Sequence, residues 1–160
     1  MKSLIAALVL GAAVAAGSAE AAGCGRPAGN AAEVEALAAA INRFRGEQGL
    51  RPLAIAPQLT RAAGDHACAM VARNEFSHSL GGSAKTRMRK AGCSARLVGE
   101  NIAMGYGQGV QVFRQWLESP GHRKIMALKG VAVMGIGVAA PEPGQGGGPR
   151  WVLQVAAPCR

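Results

Sequence analysis

The sequence predicts an α+β domain, and three observations carry that reading. Apolar residues recur at helical spacing through the early part of the chain. Two later runs, Val131 to Ala140 and Trp151 to Ala156, have the character of strands; the first is apolar on both faces, as a buried strand is. Apolar content is 49% and charged content 17%, the balance of a folded chain, not a disordered one. Helices early and strands late imply a sheet with helices packed against it.

Taken in order, the chain opens with one positive charge in Met1-Lys2-Ser3, an apolar run from Leu4 to Ala16, and small residues from Ser18 to Ala22. Residues 1–21 therefore read as a secretory signal peptide, which places the protein outside the cell or in the periplasm. The apolar run is shorter than the roughly 20 residues of a membrane span, so no transmembrane segment is expected after cleavage. Ala21-Ala22-Gly23-Cys24 allows a second ending for the leader, with Cys24 lipidated as an anchor. Residues 22–30 form a linker, and 31–160 make one domain, large enough to bury its own core.

Asn30 is placed to cap a helix on which Val34, Leu37, Ala38, Ile41 and Phe44 share a face. Arg43, Arg45, Glu47 and Gln48 fall off that stripe, and Gly49 ends the helix. Leu50 to Leu53 is extended, as a residue before proline prefers. Pro57 opens a second helix with Leu59, Ala63, His66 and Met70 on one face, which makes His66 a core histidine. Ser83 caps a short helix carrying Lys85, Arg87, Arg89 and Lys90, read as a solvated basic face. Residues 92–107 are rich in glycine, which suggests irregular or short extended structure. A helix from Gln108 to Glu118 turns Val112, Phe113 and Trp116 inward. Ser119 then serves as a cap and Pro120 as the first residue of the next helix, with His122 in its first turn. Gly135 and Gly137, inside the Val131 to Ala140 strand, mark a close approach by another element.

The formal charge is +9 and the pI about 10.3. A basic exported protein adheres to an anionic envelope surface. Specific nucleic-acid binding is not expected, because aromatics are only 4% of the chain and none interleave with a basic stretch. Four cysteines, Cys24, Cys68, Cys93 and Cys159, read as two disulfides, for which three pairings exist. Preferred are Cys68–Cys93, and Cys24–Cys159 as a tie between the termini. Lipidation of Cys24 would exclude the second pair.

Chemistry-bearing residues gather in three short stretches: Phe76-Ser77-His78-Ser79, Gly99-Glu100-Asn101-Ile102-Ala103, and Trp116 to Arg123 with Ser-Pro-Gly-His-Arg at its end. Together with Gly135-Ile136-Gly137, and in this order, they resemble the bacterial branch of the CAP superfamily, the group of cysteine-rich secretory proteins, venom antigens and pathogenesis-related proteins. The resemblance runs from about Val34 to Val155. It implies a three-layer α-β-α sandwich and a cleft lined by two histidines and two acids. His78, Glu100 and His122 match three of those positions, while Ser119 stands where the second acid is usual and Glu118 lies beside it. Two imidazoles and a carboxylate would suit zinc or another divalent metal; the alternative is that they hydrogen-bond one another and brace the cleft with no metal. The same three residues are the candidates for acid–base catalysis. No Gly-x-Ser-x-Gly supplies a nucleophile. The resemblance further implies a lipid or sterol-like ligand and a non-enzymatic binding module, acting as a monomer. A metal-dependent or His/Glu hydrolase, and a purely structural envelope protein, are the alternatives.

Overall fold

The computed structural model describes residues 30–141, 144 and 146–160. Its elements are α1 (Asn30–Glu47), β1 (Ala54–Ile55), α2 (Pro57–Ala72), α3 (Ala84–Lys90), β2 (Val98–Met104), α4 (Gly109–Glu118), α5 (Pro120–Met126), β3 (Val133–Ala139) and β4 (Arg150–Ala156). The predicted leader, its cleavage site, the linker up to residue 29 and Cys24 lie outside the described residues.

The strands form one sheet in the order β1-β3-β4-β2. β1 and β3 run parallel, and β4 lies antiparallel to both of its neighbours. Strand residues alternate between faces, and the two faces of β4 meet different helices. Trp151, Leu153 and Val155 join Leu37, Ile41, Val112, Trp116 and Met126 from the layer of α1, α4 and α5. Val152 and Ala156 meet Ala63, Met70, Leu59 and Met88 from the layer of α2 and α3. The molecule is thus a sandwich with helices on both faces of the sheet.

Why α2 lies so close to the sheet is legible in two glycines. A Cβ built on Gly135 would stand 2.2 Å from the backbone of Leu59 and Thr60, and one on Gly137 2.2 Å from Gly64 N. Any larger residue would push the helix off the strand. Pro57 occupies the first turn of α2, where its missing N–H costs nothing. The Ser83 hydroxyl accepts from Thr86 N at 3.2 Å and caps α3.

Several expectations are corrected. Of the two readings of residues 92–107, the extended one holds at 98–104, a seven-residue strand whose register with β4 pairs Glu100 with Gln154 and Ile102 with Val152. Ser119 precedes α5 but makes no side-chain cap bond; its backbone carbonyl accepts from Arg123 N instead. Arg87, read as part of a solvated basic face, is buried, and so is Arg45, which falls off the apolar stripe of α1.

The expected pairing Cys68–Cys93 with Cys24–Cys159 does not occur: Cys93 is bonded to Cys159. The β2–β4 register explains this. It places Val98 opposite Ala156, so the residues leading into β2 run beside those leaving β4. Backbone bonds from Ala157 to Leu97 and from Arg160 to Ser94 continue the pairing up to the disulfide. Cys68 is also disulfide-bonded.

Candidate functional site

Strand β2 is an edge of the sheet, and its alternation divides the central motif. Glu100 and Ile102 turn toward α2 and α3, while Gly99, Asn101 and Ala103 turn toward α4 and α5. The Asn101 amide donates to the His122 carbonyl at 2.9 Å, fixing the first turn of α5 against the strand. The Trp116 indole N–H donates to Ile102 O at 3.2 Å, so α4 seals one carbonyl of the open edge.

On the other face Glu100 is the hub of a polar cluster. Its side chain is only 4% exposed. Oε2 accepts from Arg87 Nη2 at 2.6 Å and from Gln154 Nε2 at 3.0 Å. Oε1 faces His78 Nδ1 at 2.9 Å and His66 Nε2 at 3.8 Å. The first is a hydrogen bond; the second is too long for one. Arg87, 8% exposed at its side chain, spends its other terminal nitrogen on the loop that carries the histidine. Nη1 donates to His78 O and Leu80 O, each at 3.0 Å, and to Gly82 O. One guanidinium therefore ties the loop of residues 78–82 to strand β2.

His78 itself is 57% exposed at its side chain. With Nδ1 held by Glu100, Nε2 is the ring nitrogen left facing away from the carboxylate. His122 does not touch Glu100. It borders the same cleft from the far side of the strand edge, with Nδ1 buried and unpartnered and its ring 6.4 Å from that of Trp116. The cleft measures about 350 Å³. Its floor is Ile102, Ala103 and Met104, and Phe76, Ser77, Tyr106 and Gln115 complete its walls. A second hollow of about 390 Å³ opens between His78, Glu100 and the Gly82–Ala84 turn.

Burial shifts two of the histidines. His66 lies below its ordinary value of 6.5, chiefly because its charged form is desolvated; Arg87 and His78 add to this and Glu100 opposes it. His122 is lowered as well, first by burial and then by the nearby His78. Both rings are thus disposed to be neutral.

Of the residues singled out from sequence, His78 and Glu100 meet directly, and His122 joins His78 across the cleft. Glu118 is exposed at the end of α4. Sequence reasoning missed Arg87 and Gln154; His66, read as a core histidine, is buried beside them. Gln154 carried a signal, a lone amide in the apolar run from Trp151 to Ala156. Arg87 carried none that separated it from its basic neighbours.

The residues do not suit a divalent metal. Both oxygens of Glu100 are engaged, and a guanidinium already faces the carboxylate and would repel a second cation. Among the described residues no three His, Cys, Asp or Glu side chains converge as a metal site.

With this geometry in hand, known proteins place the chain. The profile of the cysteine-rich secretory protein family, CAP, matches residues 38–155, well over half of the sequence. The chain belongs to the CAP family. YkwD of Bacillus subtilis is 35% identical over 98 residues, which cover 60% of this chain and 38% of that protein. This CAP chain therefore spans well under half the length of that relative. A solved extracellular protein containing an SCP domain, from Bacillus anthracis, superposes with a TM-score of 0.71 at 25% identity over 79% of this chain and 41% of its own. An outer surface protein from Borrelia burgdorferi gives 0.72 at 21% identity, over 79% of this chain and 93% of its own. The latter likeness speaks to the fold alone.

Proposed function

We propose that this CAP domain is an exported binding module that takes an amphipathic ligand, a lipid or sterol, in the cleft between His78 and His122. The observation that carries this reading is the mixed lining of that cleft. Phe76 and Met104 are large apolar side chains left 45% and 41% exposed. They stand beside Ile102, Tyr106 and two imidazoles. An apolar wall with a few convergent polar groups suits a hydrocarbon body with a hydroxyl or carboxylate head. No helix among the described residues is long and apolar enough to cross a membrane. The basic surface, which includes the exposed Lys85, Arg89 and Lys90, supports attachment to an anionic envelope.

Hydrolysis is the second reading, and the Glu100–His78 contact favours it, because a carboxylate-oriented imidazole can act as a base toward water. A protein nucleophile is harder to supply. The Ser77 and Ser79 hydroxyls bond each other at 3.0 Å, with Ser79 N also donating to Ser77 Oγ.

The test is to incubate the purified domain with vesicles carrying labelled sterol or fatty acid, re-isolate it, and measure bound lipid beside ester turnover. Saturable binding without turnover is expected. Phe76→Asp and Met104→Asp should each weaken it about tenfold, since each removes an apolar contact of roughly 1.5 kcal/mol. Ester turnover lost in His78→Gln would establish the hydrolase reading. Neither binding nor turnover would leave the cluster as a brace for the fold.

A further inference from the structure

We infer that Arg87 is the resident cation of this site, a positioning residue that takes beside Glu100 the place a divalent ion would need and so keeps the cluster metal-free.

Four observations support this. Arg87 and Glu100 face each other at 2.6 Å with both side chains almost wholly buried, the arrangement of a charge-assisted hydrogen bond. Gln154 donates to the same oxygen, and His78 takes the other, so little of the carboxylate remains for an ion. Arg87 is not free to swing aside, because Nη1 is committed to the carbonyls of His78, Leu80 and Gly82. Finally, those carbonyls belong to the segment that carries His78. The guanidinium thus fixes the backbone of His78 while holding the carboxylate that orients its ring. Lysine, a point charge with three donors, could face Glu100 but could not span this set with a planar fork.

The consequence is a division of roles. Glu100 anchors His78 and is not a ligand. His78 presents Nε2 to the cleft with a geometry set from within the protein, independent of metal supply and insensitive to chelators.

Zinc chloride titrated into the whole protein tests this, followed by calorimetry and by the imidazole ¹H–¹⁵N signals of His78. Wild type and Glu100→Gln should give superimposable isotherms, with no Glu100-dependent zinc site. Arg87→Lys should keep zinc excluded but shift the His78 signals, because the loop carbonyls lose their donors. Arg87→Met should take up zinc about tenfold or more tightly than wild type, and lose that gain when Glu100→Gln is added. One-site zinc binding by wild type that Glu100→Gln abolishes would overturn the inference. So would a folded Arg87→Met protein that binds zinc no better than wild type. If Arg87→Met does not fold, the wild-type and Glu100→Gln pair decides alone. No cleft ligand is involved, so this result stands or falls apart from the lipid-binding reading.

Discussion

Neither Arg45 nor Arg87 belongs to an apolar stripe in the sequence, yet both are buried. Their partners differ. Arg87 faces a carboxylate, and its remaining donors gather a loop. Arg45 has backbone carbonyls as its partners: Nη1 donates to Met126 O at 2.8 Å and Leu128 O at 3.1 Å, and Nε to Arg51 O at 3.0 Å. It meets the carbonyl end of α5, where a positive charge is favoured and the last carbonyls lack partners. Burial lowers its pKa. One arginine thus builds the site and the other closes the scaffold beneath it. The contrast shows that a buried guanidinium can serve a charge or a set of dipoles, and the two uses should fail differently.

Arg87→Met should have the largest effect. It strands a buried carboxylate, and the loss should be about 3–5 kcal/mol in urea unfolding. Adding Glu100→Gln should recover part of it, because the stranded charge is then gone. No recovery would mean that the three loop carbonyls, not the ion pair, carry the energy. Arg45→Met should cost less, about 2–3 kcal/mol, because carbonyls lose donors but no charge is orphaned. It should leave the His78 imidazole signals unchanged; a shift there would show that the scaffold and the site are coupled.

Acid should separate the two regions further. His66 and His122 have folded pKa values below the unfolded 6.5. Between the two values the unfolded chain binds more protons, so their contribution is present above pH 6.5 and is lost as pH falls through the folded values. Urea midpoints should therefore drop from pH 7 to pH 5, with a smaller drop in His66→Gln. Arg45→Met should keep the wild-type slope. The smallest effect belongs to Arg89→Ala, an exposed neighbour on α3, which should stay within about 0.5 kcal/mol of wild type.

Much of the scaffold was legible because it depends on local rules. Pro57 at a helix start, Ser83 as a cap and the close approach marked by Gly135 and Gly137 all express short-range sterics. The strand β2 was hidden because both of its faces are covered while it carries glycine, glutamate and asparagine; its polar residues are inward and satisfied by partners far along the chain. For the same reason Arg87 could not be told from Arg89, two positions away on the same short helix, since nothing nearby in sequence announces that Glu100 awaits it. The Cys93–Cys159 bond was illegible because it follows from strand register, which local patterns do not fix. His78, Glu100 and His122 could be named from their motifs. That Glu100 and His122 stand on opposite sides of a strand edge could not.

The order of the strands has a consequence for how this molecule comes into being. β4, formed by residues 150–156, lies between β3 and β2 and is the strand that β2 pairs with among the described residues. Until that segment is available, β2 lacks this partner strand, Glu100 lacks Gln154, and Cys93 lacks Cys159. Closure of this edge of the sheet, completion of the carboxylate cluster and formation of the disulfide therefore all wait on the last strand of the chain.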